Sequence, residues 1–278
     1  MKPYLDQLRY ILEHGTEKQD RTGVGTIACF GFQTRYNIEQ GFPAVTTKRL
    51  AWKSTISELL WFISGSDNIN DLKRIYSHNK LWDENYQDYL ERIGQPENDG
   101  SMGRIYGVQW RDWRNGEKRV DQLQEAIHTI RTNPESRRII VSAWNAAEVD
   151  LQDVALPPCH AFFQFFVADG RLSLQMYQRS CDMFLGVPLN TASYSLLLCM
   201  VAKITDLKPH EFILTMGDAH IYKNHIGQVE EQLSRTPFPL PQLKIEEREQ
   251  QQIEEFVMDD FELLNYQHHP RIRAEMAV

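Results

Sequence analysis

His160-Ala161-Phe162-Phe163-Gln164-Phe165-Phe166-Val167-Ala168 is a nine-residue run in which only His160 and Gln164 are polar. The run is typical of a β-strand, and the Asp169-Gly170 pair behind it indicates a two-residue hairpin turn into a second strand over 171–177. Both alternating faces of the first strand are apolar, one with Phe163 and Phe165 and the other with Phe162 and Phe166. The sheet therefore needs cover on both faces. Helices can supply one cover, and we expect a second subunit to supply the other.

A cysteine stands directly before this strand, in Leu156-Pro157-Pro158-Cys159-His160. Proline fixes the backbone, so the segment is typical of a rigid turn that aims the next side chain into a cavity. We interpret Cys159 as a nucleophile.

Length and composition limit the class of protein. The chain has 278 residues, of which 42% are hydrophobic and 24% charged, which predicts a single domain over 1–278. Its formal net charge is −8. Duplex nucleic acid requires a basic surface, so we expect no obligatory nucleic-acid partner. Any bound anion must be small and held by local cations.

The four cysteines, at 29, 159, 181 and 199, include no Cys-x-x-Cys pair, and the N-terminus has no apolar signal segment. These features favour reduced thiols and a cytoplasmic protein with neither a zinc site nor a disulfide framework. The longest strongly apolar run, 194–202, is about half of the ~20 residues that cross a bilayer, so we predict no membrane span.

Hydrophobic spacing predicts the remaining elements. Helices are expected over 4–12, 52–63, 120–131 and 191–204, and strands over 27–36 and 139–145, while the polar segment 87–101 is interpreted as a surface insertion. The predicted fold class is α/β (α+β). It consists of a large mixed or antiparallel twisted sheet that carries helices on one face and packs against a partner subunit on the other.

Several polar residues have two interpretations from local pattern alone. Glu58 flanks an apolar helix face, so it lies either in solvent or in a cleft where burial would raise its pKa. Arg21 follows a glycine-containing loop and is either a surface charge or a ligand contact. Arg137 and Arg138 are adjacent in a strand, where neighbours point to opposite sides, so one subunit would not normally aim both at one ligand. Asn190 is either the N-cap of the 191–204 helix or a ligand contact.

The aromatic segment Gly103-Arg104-Ile105-Tyr106-Gly107-Val108-Gln109-Trp110 also remains open, as plain core or as a stacking wall for a planar ligand.

Taken together, the long motifs closely resemble the thymidylate synthase family. They are Asp20-Arg21-Thr22-Gly23, Leu156-Pro157-Pro158-Cys159-His160, Gln178-Arg179-Ser180-Cys181-Asp182 and Gly217-Asp218-Ala219-His220-Ile221-Tyr222. The resemblance spans essentially the whole chain and implies reductive methylation of dUMP to dTMP. It makes 5,10-methylenetetrahydrofolate the donor of both the carbon and the hydride, without a metal or a nicotinamide, and it implies a homodimer.

The resemblance also implies roles for individual residues. Cys159 would add to C6 of the uracil, and Glu58, Tyr106, His160 and Asp182 would complete the catalytic set. The residues implied to bind dUMP are Arg21, Arg179, Ser180, Cys181, Asp182, Asn190, His220 and Tyr222, together with Arg137 and Arg138 donated by the partner subunit. Folate would be bound by Trp82, Asp182, Leu185, Gly186 and Ala277, with the tail 271–278 closing over it. The arginines near Cys159 are expected to favour its thiolate.

Three positions depart from the commoner family pattern. Ala51 stands where many bacterial members have a folate-contacting histidine, Asn85 replaces a frequent tryptophan, and Arg104 replaces a frequent proline. The same motifs fit two rival activities. One is a nucleotide 5-hydroxymethylase, in which water captures the methylene intermediate, and the other is a binding protein without turnover.

Overall fold

The structure is a computed structural model that describes residues 1–20, 23–95 and 99–275. Eight α-helices occur in these ranges: α1 Lys2–His14, α2 Trp52–Ser64, α3 Ile69–Ile75, α4 Asp83–Ile93, α5 Tyr106–Arg111, α6 Gln122–Thr132, α7 Gly186–Ile204 and α8 Ile226–Ser234. Ten strands accompany them: β1 Thr16–Lys18, β2 Thr26–Asn37, β3 Trp113–Asn115, β4 Lys118–Val120, β5 Ile140–Ser142, β6 His160–Ala168, β7 Arg171–Asp182, β8 Lys208–Tyr222, β9 Gln242–Ile245 and β10 Phe261–Leu264.

Six of these strands form one sheet in the order β1-β2-β8-β7-β6-β5. Only β7 and β8 pair in parallel, and the other neighbours are antiparallel. The predicted mixed α/β fold with a large mixed sheet is therefore confirmed. The hairpin at Asp169-Gly170 is also as predicted, with both residues at positive φ.

The two faces of β6 have different environments. Phe163 and Phe165 are buried in the helix-covered core, whereas Phe162 and Phe166 are 42% and 64% exposed. Ile140 of the edge strand pairs with Gln164 and lies on the same open face, 45% exposed. The sequence was therefore right that both faces are apolar, and the open one is solvent-exposed in the single chain.

Helix α7 fills the centre of the fold, with most of its side chains buried. Among the described residues it is the one helix long and apolar enough to span a membrane, and its burial against the sheet accounts for that composition. It starts at Gly186, five residues before the predicted start. Pro188 is compatible with this start because the first turn of a helix needs no N–H from it. Asn190 therefore lies inside the helix, and the N-cap interpretation was wrong.

Other predicted boundaries also change. Strand β5 is shorter than 139–145 because the N–H groups of Ala143 and Trp144 both donate to the Ala161 carbonyl, which breaks the regular pairing. Strand β7 continues to Asp182. Residues 87–93 of the predicted insertion belong to helix α4, in which Tyr89 and Leu90 are buried, and residues 96–98 of it lie outside the described residues.

Candidate active site

Cys159 is held through its backbone immediately before β6. Its N–H donates to the Tyr106 hydroxyl oxygen over 2.8 Å, and its carbonyl accepts from the Arg179 N–H over 2.9 Å. The first contact comes from the start of α5 and the second from β7. The backbone of Cys159 is therefore fixed between two elements, which suits a side chain that must act in one geometry.

The Arg179 guanidinium lies against the same turn. It donates to the carbonyl oxygens of Pro158 and Pro157 over 2.9 and 2.8 Å, and its Nη2 is 3.8 Å from the Cys159 sulfur. The Trp144 ring centroid is 5.1 Å from the guanidinium carbon, which provides a cation–π contact. Arg179 is thus positioned to interact with the thiol and with an anion beside it.

Two opposing effects set the acidity of Cys159. Burial raises the pKa of the Cys159 thiol above its ordinary value, and the charge of Arg179 and a hydrogen bond with Tyr106 oppose that rise. The predicted direction of the arginine effect is therefore confirmed for Arg179. The net shift is still upward because desolvation is the larger effect.

Glu58 is buried rather than in solvent. Its side chain is buried, and its Oε1 accepts from Trp82 Nε1 over 2.7 Å. Burial raises the pKa of Glu58 to about 7, and the Trp82 hydrogen bond opposes the shift. Such a carboxyl can both release and accept a proton near neutral pH.

The aromatic segment around Tyr106 packs against Phe62 and against Trp82, the hydrogen-bond partner of Glu58. Tyr106 stacks on Phe62 with 4.8 Å between ring centroids, and Trp82 meets Tyr106 edge-on at 5.9 Å. The His160 ring centroid is 4.9 Å from that of Tyr106. The ring of Tyr106 therefore belongs to the core, while its hydroxyl group reaches Cys159.

Two amide side chains, the buried Gln178 and the partly buried Asn190, lie beside His160. Gln178 Nε2 donates to Asn190 Oδ1 over 3.0 Å and to the Ser180 carbonyl over 3.1 Å. Burial lowers the pKa of His160 to about 4, and a hydrogen bond with Asn190 opposes the change. His160 is therefore neutral near pH 7, and Asn190 is held by Gln178 on one side and His160 on the other.

Strand β8 brings His220 and Tyr222 to the same end of the sheet. The parallel register with β7 sets Ser180 opposite Asp218 and Asp182 opposite His220. Asp218 Oδ1 is 3.1 Å from His220 Nδ1, and Lys18 bonds the other carboxylate oxygen of Asp218. The hydrogen bond from His220 is the largest cause that lowers the pKa of Asp218 to about 2.

Asp182 shapes the turn from β7 into α7. Its Oδ1 accepts from the N–H groups of Phe184 and Leu185 over 2.9 and 3.1 Å, and Gly186 follows as the first helical residue. Lys48 donates to the Phe184 carbonyl and lies 3.5 Å from that ring's centroid. Burial lowers the pKa of Lys48 to about 7, while Asp182 opposes the shift.

Arg137 and Arg138 do not reach the Cys159 of their own chain. Both side chains are exposed, and they precede β5 where it pairs with the far half of β6. Ile140, the first residue of β5, pairs with Gln164, and both arginines lie further along in the direction away from Cys159. Gln164 alone is five residues from Cys159, or roughly 17 Å at ~3.3 Å per residue. The donation of Arg137 and Arg138 to a partner subunit's site stays a prediction.

Two predicted site residues, Arg21 and Ala277, lie outside the described residues. Three residues that sequence reasoning did not assign contact the site: Gln178, Asp218 and Lys48. Gln178 lies one residue beyond the predicted strand 171–177 but continues the core-facing alternation of Leu172, Leu174 and Met176, and a polar group at such a position needs a partner. That requirement was the available signal for it.

One comparison with known proteins bears on these residues. The family model described as thymidylate synthase matches residues 2–278, essentially the entire chain.

Proposed function

The chain belongs to the thymidylate synthase family, and from this premise we propose that it converts dUMP to dTMP with 5,10-methylenetetrahydrofolate as the donor of carbon and hydride. Membership of this family indicates a methyltransferase activity of the dUMP-methylating type. The observation that carries the finer proposal is the convergence of Arg179 and Tyr106 on Cys159, with Asn190 held nearby.

Covalent activation is the task proposed for Cys159. Its sulfur bonds to C6 of the uracil and loses its proton, and the electron pair of the C5–C6 double bond moves toward C5 and O4. C5, otherwise a weak nucleophile, then bonds to the methylene carbon of the folate, while one of that carbon's two bonds to folate nitrogen breaks and its electron pair stays on the nitrogen. Because burial keeps the free thiol protonated, attack depends on Arg179, which favours the thiolate.

Proton transfer is assigned to Glu58. After the carbon is joined, C5 loses its proton, and a carboxyl with a pKa of about 7 can relay it. Separation of the folate leaves an exocyclic methylene that takes the hydride. Cys159 then leaves C6, and the double bond re-forms.

Recognition of uracil is assigned to Asn190. Its Oδ1 can accept from uracil N3–H while its Nδ2 donates to O4. Cytosine would require the reverse orientation of the amide. The Gln178 amide group favours the uracil orientation because it already donates to Asn190 Oδ1.

The deoxyribose hydroxyl is assigned to His220 and Tyr222, and the 5′-phosphate to Arg179 with Arg21 and the partner's Arg137 and Arg138. The distance argument above supports delivery of the last two across a dimer. The exposed Phe162 and Phe166 supply an apolar face on which the second copy can pack. A homodimer is accordingly part of the proposal.

Folate is assigned to the cleft between Trp82 and the turn Asp182–Gly186, with closure by the C-terminal tail. The described part of the tail is anchored, since Ile272 is buried and the Glu275 carbonyl lies 2.7 Å from His225 Nε2. A tail held at this point can cover the cleft and exclude water from the methylene intermediate. We place this reaction in the cytoplasm, where the thiols stay reduced.

The test is an end-point reaction of the purified protein with dUMP and 5,10-methylenetetrahydrofolate. Dihydrofolate formation is followed by absorbance, and the nucleotide is identified by mass. dTMP with equimolar dihydrofolate is the expected result. 5-Hydroxymethyl-dUMP without dihydrofolate would replace methylation by hydroxymethylation, and dUMP binding without any product would leave a binding protein.

A further inference from the structure

Arg104 is a largely buried cation that joins two carboxylates from different segments. Its Nε is 2.8 Å from Glu148 Oε2 and its Nη1 is 3.0 Å from Asp112 Oδ2, and its side chain is only 17% exposed. Gln109 Nε2 adds hydrogen bonds to Glu148 and to the Arg104 carbonyl. We call Arg104, Gln109, Asp112 and Glu148 the Arg104 cluster.

The cluster connects the segment 103–112 to the loop 144–150. Gly103 already packs tightly at the start of the first segment, where a β-carbon would lie 2.0 Å from the Asp153 carbonyl oxygen. Asn145 Nδ2 donates to Glu148 over 3.2 Å and thereby ties the start of the loop to the same carboxylate. Arg104 therefore links the segment 103–112 to the loop 144–150, while the packing of Gly103 fixes the first segment against Asp153, just beyond that loop.

Each segment carries a side chain that acts on the nucleophile. Tyr106, two residues after Arg104, accepts the hydrogen bond from the Cys159 N–H. Trp144, four residues before Glu148, lies against the guanidinium of Arg179, whose Nη2 is 3.8 Å from the Cys159 sulfur. The Arg104 cluster thus spans the two supports of Cys159.

We propose that Arg104 is a positioning residue, which holds Tyr106 and the Trp144–Arg179 pair in register around Cys159. The part of this inference that concerns turnover rests on the proposed function. The part that concerns the thiol does not, because the reactivity of Cys159 can be measured without any substrate.

Electrostatic interactions hold the Arg104 cluster together. Although burial raises the pKa of Asp112, hydrogen bonds from Arg119 and Arg104 lower it to about 2. Gln109 and Arg104 likewise lower the pKa of Glu148 against the effect of burial. Both carboxylates are therefore ionised, and loss of Arg104 would leave them without their shared counter-ion in a partly desolvated place.

The experiment compares Arg104→Met with Arg111→Met in the full-length protein. Arg111 has the same 17% exposure and also pairs with two carboxylates, Asp121 and Glu254, but neither belongs to the loop 144–150. Carbamidomethylation of Cys159 by iodoacetamide is measured against pH by mass spectrometry of the peptide that contains it. kcat and KM for dUMP are measured in parallel.

Arg104→Met is expected to move the midpoint of the alkylation profile to higher pH, because Arg179 is then held less firmly beside the sulfur. It should lower kcat about tenfold, in keeping with the cost of a small misplacement, while KM changes less. Arg111→Met should leave the alkylation profile in place. Arg104→Met combined with Arg179→Met should shift that profile no further than Arg179→Met alone, since Arg104 acts through Arg179.

Equal alkylation profiles for Arg104→Met, Arg111→Met and wild type would overturn the inference, even if Arg104→Met were less stable. If Arg104→Met does not fold, Arg104→Lys is used instead, because lysine keeps the charge but lacks the planar guanidinium that binds two carboxylates. The midpoint of its alkylation profile must then lie at a higher pH than that of wild type. A wild-type protein that fails to methylate dUMP would refute the proposed function, while the alkylation profiles would still decide the role of Arg104.

Discussion

Replacement of Glu58 by glutamine should stabilise the protein at high pH while it removes activity. The wild-type carboxyl is buried, and its pKa rises from an ordinary 4.5 to about 7. This difference of about 2.5, at roughly 1.4 kcal/mol for each pKa unit, corresponds to about 3.5 kcal/mol. The glutamine amide is neutral at all pH values and keeps an oxygen that can accept from Trp82 Nε1.

The sign follows from proton binding. Between pH 4.5 and about 7 the folded protein holds a proton on Glu58 that the unfolded chain has released, so wild-type stability falls as pH rises through this window. At pH 5 most of this loss of stability has not yet occurred, and at pH 8 the loss is complete. Glu58→Gln should therefore unfold at a similar urea concentration to wild type at pH 5, and be more stable by up to about 3.5 kcal/mol at pH 8.

The assay is urea denaturation of both proteins at pH 5 and pH 8, at one fixed protein concentration. Glu230→Gln is the control, because it removes an exposed carboxyl from α8 and should behave like wild type at both pH values. Activity of Glu58→Gln should fall because no carboxyl remains to relay the C5 proton. Parallel behaviour of Glu58→Gln and wild type across the two pH values would refute a perturbed, buried Glu58.

Three further changes test other parts of the site. Asp218→Asn should raise KM for dUMP about tenfold with a smaller change in kcat, because His220 loses a charged hydrogen-bond partner worth roughly 1.5 kcal/mol; equal KM values would contradict this role. Phe166→Asp places a charge on the open sheet face and should shift sedimentation toward a monomer and abolish turnover, whereas an unchanged sedimentation coefficient would count against packing through that face. Arg179→Met should raise the pKa of Cys159 further and slow its alkylation at neutral pH, since Arg179 is the main group opposing the effect of burial; faster alkylation would show that this assignment is wrong.

The sequence predicted much of the fold because the decisive segments have strong local patterns. The two-sided apolar strand before Asp169-Gly170, the helix that ends at Gly65 and the buried helix after Pro188 are all set by hydrophobic spacing and turn residues. Cys159 could be selected for the same reason, since its prolines and the following strand fix its place. The start of α7 could not be predicted, because a proline in the first turn looks like a helix breaker from local sequence alone.

Relations across the sheet could not be predicted from local pattern. The positions of Asp218 opposite Ser180 and of His220 opposite Asp182 depend on the parallel pairing of β7 with β8, two strands separated by a long helix. Gln178 reaches Asn190 only because β7 extends past the predicted end of the strand. The acidity of Cys159 and Glu58 depends on desolvation, which requires the packed structure.

The central claim is that the Cys159 sulfur bonds to C6 of the pyrimidine. The most direct measurement is mass spectrometry of the protein incubated with 5-fluoro-dUMP and 5,10-methylenetetrahydrofolate, followed by proteolysis to locate the modified residue. Fluorine at C5 cannot leave as a proton does, so a ternary adduct should accumulate on the peptide that contains Cys159. An unmodified Cys159 peptide, or an adduct on another residue, would contradict the mechanism.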